Sequence, residues 1–334
     1  VMDLVPARPS IATEMAQCTA RVPVRTTARP RQPRNPWVLS KPASSSPAIG
    51  GEVIELAYET VDWKPAEGGR LSEALYEDYA LQSMRIPGAH AHPTRLVQSA
   101  AMASVAPPKP AYRPHLPARV LSQRLLSDAQ LESVIHAGEA HASHLAGAWT
   151  VDATFDVVGA APDDAANAVR FRRGWFLGEG PGCGKGRQVA AIILDNWLKG
   201  RRRALWVSRS TVLIQDSRRD WAALGQDPLL IQPLERFRQG TPIRLDEGIL
   251  FVTYATLRSA EREGKASRLD QILAWLGGEP GSETASGFDG VIVFDESHAM
   301  QNAAAGKTER GEQVPSQQGR SGLRLQHALP DARV

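Results

Sequence analysis

The sequence is poor in the features that mark secreted, metal-binding or membrane proteins. Its two cysteines, Cys18 and Cys183, lie far apart and show no spacing typical of a disulfide framework or a metal site. No apolar run approaches the roughly 18 residues that a membrane span needs. The N-terminus also lacks the apolar segment of a signal peptide. We therefore expect a protein without membrane spans that works in a reducing compartment, the cytoplasm.

The chain also lacks a strong excess of charge of either sign. Its 39 basic and 36 acidic residues leave a net charge of +3, which permits nucleic-acid binding without demanding it. Apolar residues make up 42% of the 334 residues. At about 100–200 residues per domain, that is enough for one or two buried cores.

The first 48 residues differ in composition from the rest. Between residues 21 and 36 arginines alternate with prolines, ahead of a serine tract, and the arginines there are Arg21, Arg25, Arg29, Arg31 and Arg34. Such a segment cannot bury enough apolar surface to order itself. We predict that residues 1–48 form a disordered basic linker or tail. The alternative is a tether for a nucleic-acid phosphate backbone.

We predict that residues 49–125 form an irregular N-terminal extension. Alternating apolar and polar residues from Glu52 to Thr60 indicate a short strand, and helical spacing runs over Leu71–Met84 and Leu96–Val105. A proline-rich stretch then ends the region. Beyond it, Ser127 is a natural N-cap, which predicts a helix reaching about Leu145.

A glycine-rich segment follows a predicted hairpin formed by residues 149–158 and 169–177. It joins an apolar run, Trp175–Leu177, to a turn and then to a helical pattern. Glycines let backbone N–H groups converge on an anion, the helix N-terminus adds its dipole, and Lys185 adds a mobile charge. The predicted phosphate-binding residues are Gly180, Gly182, Cys183, Gly184, Lys185, Gly186 and Arg187.

Two positions depart from the strict phosphate-loop pattern. Glu179 stands where that pattern has glycine, and Gly186 stands where it has serine or threonine. The hydroxyl that usually binds Mg²⁺ is therefore absent. The alternative interpretation is a tight glycine turn that ends near a surface lysine.

Strands and helices alternate after the glycine-rich segment. Strand-like runs cover 204–208, 229–234, 249–254 and 288–294, and helical patterns cover 212–224 and 269–276. This alternation predicts an α/β fold with a parallel sheet covered by helices, in which ligands bind at the carboxyl ends of the strands.

The last predicted strand ends in two acids. Four apolar residues precede Asp295 and Glu296, an arrangement in which the first carboxylate binds Mg²⁺ and the second orients or deprotonates a water. Together with Lys185 they form a near-minimal set for phosphoryl transfer from ATP. The alternative is an acidic strand-to-loop junction without a ligand.

Several motifs of the sequence resemble those of a known family. Asp295-Glu296-Ser297-His298 resembles the DEAH-type motif II of superfamily 2 helicases, and residues 76–334 resemble the ATPase region of the strawberry notch family, of bacterial or phage type. The matching motifs include His92-Pro93, Leu126-Ser127, Gly182 to Arg187, Ala204 to Ser208, Ile249 to Tyr254, and Leu329 to Val334. The resemblance implies that residues 126–334 are a first RecA-like, ATP-binding lobe, preceded by a family-specific extension.

The resemblance also implies roles for single residues. Gln130 is similar to the glutamine that reads adenine, and Gly186 agrees with the Gly-Lys-Gly-Arg form usual in this family. Ser208, Thr253 and Tyr254 match positions that meet a DNA or RNA backbone. His298 resembles the residue that couples the ATP site to a second lobe.

The resemblance further implies partners outside this sequence. We expect the chain to be a fragment that stops before motif III, without the second RecA-like lobe and its arginine finger. A methyltransferase domain on the same polypeptide is a further expectation. The resulting hypothesis is the ATP-binding lobe of a DNA or RNA helicase or translocase. The alternatives are a nucleotide-gated interaction module or transcriptional co-regulator, and an ATPase that acts on proteins.

Overall fold

The structure is a computed structural model that describes residues 51–63, 75–151, 158–258, 267–277, 287–303, 306–308, 311–313 and 316–334. These residues all belong to one compact unit that spans residues 39–334. The predicted basic tail, residues 1–48, lies outside the described residues.

The described elements alternate as an α/β protein requires. The strands are β1 (Val53–Glu55), β2 (Glu59–Thr60), β3 (Tyr76–Asp78), β4 (Met84–Arg85), β5 (Val97–Ser99), β6 (His115–Pro117), β7 (Ala148–Val151), β8 (Val158–Ala161), β9 (Arg203–Ser208), β10 (Ile231–Pro233), β11 (Gly248–Thr253), β12 (Val291–Phe294), β13 (Gly306–Thr308) and β14 (Gly311–Gln313). The helices are α1 (Ala100–Ala103), α2 (Arg119–Ser122), α3 (Asp128–His141), α4 (Lys185–Leu198), α5 (Ile214–Ala223), α6 (Tyr254–Leu257), α7 (Arg268–Trp275) and α8 (Gln317–Ala328). None of the helices in the described part of the chain has the length and apolar character needed to cross a bilayer.

A parallel sheet organises the second half of the chain. Its four strands lie in the order β10-β11-β9-β12, and every neighbouring pair is parallel. Strand β11 is buried along its whole length, and β9 is buried from Ala204 onward. Nearly continuous apolar strands are typical of a sheet covered on both faces. The predicted α/β fold with a helix-covered parallel sheet is confirmed.

Each face of the sheet carries its own core. Trp206 and Phe251 belong to the core that contains the buried faces of α3, α4 and α5. Their neighbours Val207 and Val252 belong to the opposite core, with α6, α7 and α8. Side chains alternate between the faces because the strand period is two residues.

Helix α3 begins where the sequence predicted. The Ser127 hydroxyl accepts from the backbone N–H of Gln130, and the Gln130 side chain accepts from the Ser127 N–H, which completes a capping box. The helix ends at His141, four residues before the predicted end. Gln130 therefore lies in the first turn of α3, where its side chain also contacts the glycine-rich segment.

The extension shares its core with the sheet domain. Strand β6 pairs antiparallel with β1, and Leu56, Leu116 and Val120 belong to the same core as the buried residues of α4. The predicted division at residue 125 is therefore not a gap in packing. In the structure, the extension and the sheet domain share one core.

The predicted helices of the extension are wrong over the described residues. Residues 76–78 form β3 and pair with β5, while Met84 and Arg85 form β4 and pair with β2. The second predicted helix, Leu96–Val105, is reduced to one turn, α1, in which the Ser99 hydroxyl accepts from the backbone N–H of Met102. Strands of two or three residues are fixed by partners far along the chain, so local periodicity misses them.

The predicted hairpin has different partners. Strand β7 pairs along its length with β8, and its pairing with the predicted partner run, 169–177, is an isolated bridge between Trp149 and Val169. Residues 175–177 do not form a strand; instead the N–H of Trp175 donates to the carbonyl of Val334 at 2.9 Å. Arg333 forms a parallel bridge with Val291 of β12. The final residues therefore lie between β12 and the segment that enters the glycine loop.

A buried carboxylate fastens the extension to the end of α4. Asp195 accepts from the hydroxyl of Tyr112 at 2.5 Å and from the N–H of His115 at 2.7 Å. The ammonium of Lys199 lies 3.0 Å from the same carboxylate. Burial, and then the nearby charge of Asp195, raise the pKa of the Tyr112 phenol, so that it stays a donor. Two extension residues, one α4 residue and the C-cap residue of α4 thus form one bonded cluster.

This cluster predicts a large stability effect. Replacing Asp195 with alanine leaves the Tyr112 hydroxyl without its acceptor and Lys199 without its ion-pair partner, and breaking a buried ion pair costs about 3–5 kcal/mol. We expect Asp195→Ala to lower the free energy of unfolding by about 3 kcal/mol in urea denaturation. Asp62→Ala, which removes an exposed ion pair with Lys109, is the control and should change stability little. Equal effects of the two variants would contradict this role.

Candidate functional site

The glycine loop has the backbone of an anion cradle at a helix N-terminus. Gly182 and Gly184 adopt left-handed backbone conformations, with φ of 95° and 76°, which residues other than glycine rarely adopt. Gly184 is the N-cap of α4, so Lys185 is the first residue of that helix. Backbone N–H groups of the first turn of a helix bind anions readily. The predicted loop and helix start are therefore present.

Side chains from two helices hold the loop carbonyls. The Gln130 amide of α3 donates to the carbonyl of Cys183 at 3.0 Å. The Gln188 amide of α4 donates to the same carbonyl at 3.2 Å and to the Glu179 carboxylate at 2.6 Å. Lys185 donates to the carbonyls of Glu179 and Gly180 at 2.8 and 3.1 Å. In this state the lysine ammonium lies folded back on its own loop.

The two predicted acids lie at the carboxyl end of β12. Asp295 accepts from the hydroxyl of Ser208 at 2.8 Å. Burial raises the pKa of the Asp295 carboxyl, while the Ser208 hydrogen bond and the charge of Lys185 work in the opposite direction. Glu296 has a left-handed backbone, with φ of 54°, and its carboxylate lies 3.2 Å from Nδ1 of His298. A non-glycine residue in this conformation is uncommon and concentrates at functional sites.

One cavity brings these groups together. It has a volume of about 520 Å³ and is lined by Lys185, Asp295, Glu296 and His298, together with the apolar segment 175–177 and β12. The lysine that begins α4 and the acids that end β12 therefore face the same space. This is the juxtaposition that the sequence predicted from two distant segments.

The arrangement fits a nucleotide phosphate with Mg²⁺. Gly182, Gly184 and the start of α4 form the anion cradle, Lys185 supplies the cation, and Asp295 supplies a carboxylate in the same cavity. Among the described residues there is no group of three side chains able to hold a metal alone. A phosphate-loop Mg²⁺ uses one or two carboxylates plus substrate phosphates and waters, so a single carboxylate is in keeping with it.

Gly186 has a structural reason. A β-carbon at this position would fall well inside contact distance of the Asp220 carboxylate of α5. Serine or threonine would therefore displace Asp220. Burial raises the pKa of the Asp220 carboxyl, while Arg219 and Arg187 lower it, which places the Arg187 charge beside this carboxylate. The departure from the strict loop pattern reflects how α5 packs on α4.

The three residues expected to meet a nucleic acid lie in the interior. Ser208, Thr253 and Tyr254 are all buried. Ser208 bonds to Asp295, the Tyr254 hydroxyl donates to the Asp295 carbonyl at 2.9 Å, and Thr253 caps α6. Their side chains thus support the acid site instead of forming a contact surface. Direct contact of these residues with a nucleic acid stays a prediction, and in the structure their hydroxyls have partners within the chain.

Comparisons with known proteins assign the chain to a family. A family model described as P-loop containing NTP hydrolase pore-1 matches residues 91–334. The protein strawberry notch of Drosophila melanogaster is 32% identical over 317 residues, which cover 92% of this chain and 17% of that protein. The chain belongs to the strawberry notch family. It is therefore a P-loop NTPase region of a strawberry notch family protein.

Other strawberry notch relatives give the same result. Protein FORGETTER 1 of Arabidopsis thaliana is 31% identical over 90% of this chain and 20% of its own length. Protein strawberry notch homolog 2 of Mus musculus is 34% identical over 78% of this chain and 16% of its own length. The chain thus spans a fifth or less of these relatives. No solved structure matches. The bacterial or phage type suggested by the sequence stays a prediction.

The strawberry notch site contains residues that the sequence did not single out. They are Asp220 against Gly186, Gln188 beneath the loop, and Glu132 and Ser133 of α3. Ser133 donates to the Glu179 carboxylate at 3.3 Å, which gives a structural role to the glutamate that replaces a glycine of the strict pattern. Two sequence features could have indicated them, namely Glu179 and Gly186, which depart from the strict phosphate-loop pattern. A residue that departs from such a pattern needs neighbours that accommodate it.

Glu132 is a buried acid beneath the loop. It accepts from the hydroxyl of Tyr79, and its carboxylate lies 3.9 Å from Nε2 of His136. Burial, and then the charge of Glu179, raise the pKa of Glu132 to about 7. Burial also lowers the pKa of His136. The neutral forms of both groups are therefore favoured in the folded protein.

This cluster predicts a pH-dependent stability. Because the pKa of Glu132 rises from 4.5 to about 7 on folding, its contribution is complete below pH 4.5 and is lost as the pH rises through 7. Glu132→Gln removes this term and keeps an acceptor for Tyr79. We expect the free energy of unfolding of Glu132→Gln, relative to wild type, to rise by on the order of 2–3 kcal/mol between pH 4.5 and 7.5.

The measurement is urea denaturation of both proteins at each pH. His141, whose pKa burial lowers to about 4, destabilises both proteins alike at low pH, so the difference reports on Glu132 and its neighbour His136. A difference that does not change with pH would contradict the raised pKa.

Proposed function

We propose that this chain is the ATP-binding lobe of a DNA or RNA helicase or translocase, which hydrolyses ATP with Mg²⁺ when paired with a second RecA-like lobe. The observation that carries the proposal is the cavity shared by Lys185, Asp295 and Glu296. Those three residues have the chemistry that phosphoryl transfer to water needs, namely charge neutralisation and a positioned nucleophile.

Each residue has a definite task in this proposal. Lys185 leaves the carbonyls of Glu179 and Gly180 and binds the nucleotide phosphates. Asp295, oriented by Ser208, holds the metal, which when bound supplies neutralising charge at the phosphates. Glu296 orients the attacking water or takes its proton. His298, 3.2 Å from the Glu296 carboxylate, holds that carboxylate in place.

The proposed second lobe supplies an arginine. The charge that develops on the transferred phosphoryl group is stabilised in such enzymes by an arginine finger, which contributes roughly 10³–10⁵ in rate. Arg187 lies two residues after Lys185 in the first turn of α4. Its charge acts on Asp220 of α5, so we assign it a structural role and place the finger on the second lobe.

The proposed nucleic-acid contacts lie beside the buried residues. Arg209 and Arg258 follow β9 and the helix after β11, and both are exposed. They lie beyond the carboxyl ends of parallel strands, where ligands bind in sheets of this type. Because they are cationic and exposed, they suit the phosphate backbone of DNA or RNA better than Ser208, Thr253 and Tyr254 do.

The test is steady-state phosphate release from ATP by this chain, with and without single-stranded DNA or RNA. We expect ATP to bind and phosphate release to be slow under all three conditions, because the proposal places the arginine finger on the second lobe. Glu296→Gln is the site variant, and Glu59→Gln, which changes an exposed residue of β2, is the matched control.

Fast turnover that disappears in Glu296→Gln and persists in Glu59→Gln would show that one lobe suffices. That result would contradict the need for a second lobe. In a longer polypeptide that carries the second lobe, nucleic acid should stimulate hydrolysis. ATP binding without such stimulation would favour the alternative function, a nucleotide-gated interaction module.

A further inference from the structure

A carboxylate oxygen occupies the space of the side chain that the loop lacks at position 186. In the strict phosphate-loop pattern, the serine or threonine after the lysine binds Mg²⁺ together with the acid that ends a later strand. Here that residue is Gly186, which lines the same cavity as Lys185 and Asp295. A β-carbon built on Gly186 would overlap Oδ2 of Asp220. An oxygen of α5 therefore lies in the space that a serine or threonine side chain would fill.

The Asp220 carboxylate has no partner of its own in the described part of the chain. The residue is half-buried, yet it takes part in no hydrogen bond or ion pair among the described residues. Arg219 pairs with Asp216 at 2.7 Å. Arg219 and Arg187 lower the pKa of the Asp220 carboxyl by their charges, against the effect of burial. A carboxylate that is partly removed from water without a partner is costly unless a cation binds to it.

A second carboxylate suits the metal that accompanies ATP. Mg²⁺ prefers oxygen ligands, and nucleotide sites hold it by one or two carboxylates together with substrate phosphates and waters. Asp295 is one carboxylate at the cavity. Because Gly186 has no side chain, nothing at position 186 stands between Asp220 and the cavity that Gly186 lines. Glycine in the loop and aspartate in α5 thus form a matched pair.

We propose that Asp220 takes the place of the missing hydroxyl and contributes an oxygen to the shell of the Mg²⁺ that binds with ATP. The inference rests on the proposed function and deepens it, since it names the residue that lets this loop hold a metal with glycine at position 186. In the absence of the metal, the negative charge of Asp220 opposes the phosphates, which carry charge of the same sign. Asp220 therefore makes ATP binding depend on Mg²⁺.

The experiment measures the ATP affinity of the full chain by calorimetry, once with excess Mg²⁺ and once with EDTA. The quantity of interest is the ratio of the two affinities. Asp220→Asn keeps the shape of the side chain and removes its charge. We expect it to reduce the ratio at least fivefold, because the affinity with Mg²⁺ falls while the affinity in EDTA does not. Asp216→Asn is the matched control, since it removes the same charge one turn earlier on α5. It should leave the ratio within twofold of wild type.

A second comparison restores the hydroxyl of the strict pattern. Gly186→Ser combined with Asp220→Ala places a serine in the space that the carboxylate leaves, and Gly186→Ala with Asp220→Ala is its control without the hydroxyl. Gly186 belongs to α4 and is not among the glycines with positive φ, so the backbone accepts either side chain. We expect the ratio to be at least threefold larger in the serine double variant than in the alanine double variant.

The outcomes separate this inference from the proposed function. Equal losses of affinity with Mg²⁺ and in EDTA in Asp220→Asn would overturn the inference, since a residue that only supports the loop affects both alike. Equal ratios in the two double variants would also overturn it, because the hydroxyl and the carboxylate would then not serve the same position. Both results leave the proposed function intact. A wild-type chain that binds ATP under neither condition would overturn the proposed function itself.

Discussion

The structure depends on how helix α4 is held at its two ends. At the first end, Gln130 and Gln188 bond to the Cys183 carbonyl and fix the glycine loop against the helix. At the other end, the buried carboxylate of Asp195 bonds to the extension through Tyr112. Between these points the helix packs in one core with β9 and β11. A phosphate site at the start of α4 therefore needs both the extension and the sheet.

Much of the sheet domain could be predicted because its signals are local. Buried parallel strands are apolar runs, and helices such as α3 carry a capping residue at a readable position. The extension could not be predicted in the same way, since β3 and β4 contain two or three residues and exist only through distant partners. The conformation of residues 175–177 could not be predicted either, because the backbone partner of Trp175 is Val334, far along the chain.

The residues of the candidate site likewise fall into those with a local sequence signal and those placed by packing. Lys185, Asp295 and Glu296 were predictable, since the carboxyl ends of parallel strands and the start of the following helix meet at one edge of a sheet. Asp220 and Gln188 were not, because their roles arise from how α5 and α4 approach the loop. The roles first given to Ser208 and Tyr254 followed from motif position alone. In the structure both side chains are buried, and their hydroxyls bond to Asp295.

The proposed function requires that the phosphates of ATP bind at the start of α4 through Lys185, and calorimetric titration tests this most directly. The account predicts that Lys185→Ala weakens ATP affinity at least tenfold, which corresponds to about 1.4 kcal/mol. Lys109→Ala, which removes an exposed lysine of the extension, should bind ATP as wild type does. Unchanged affinity in Lys185→Ala would contradict the account, because the glycine loop would then lie outside the nucleotide site.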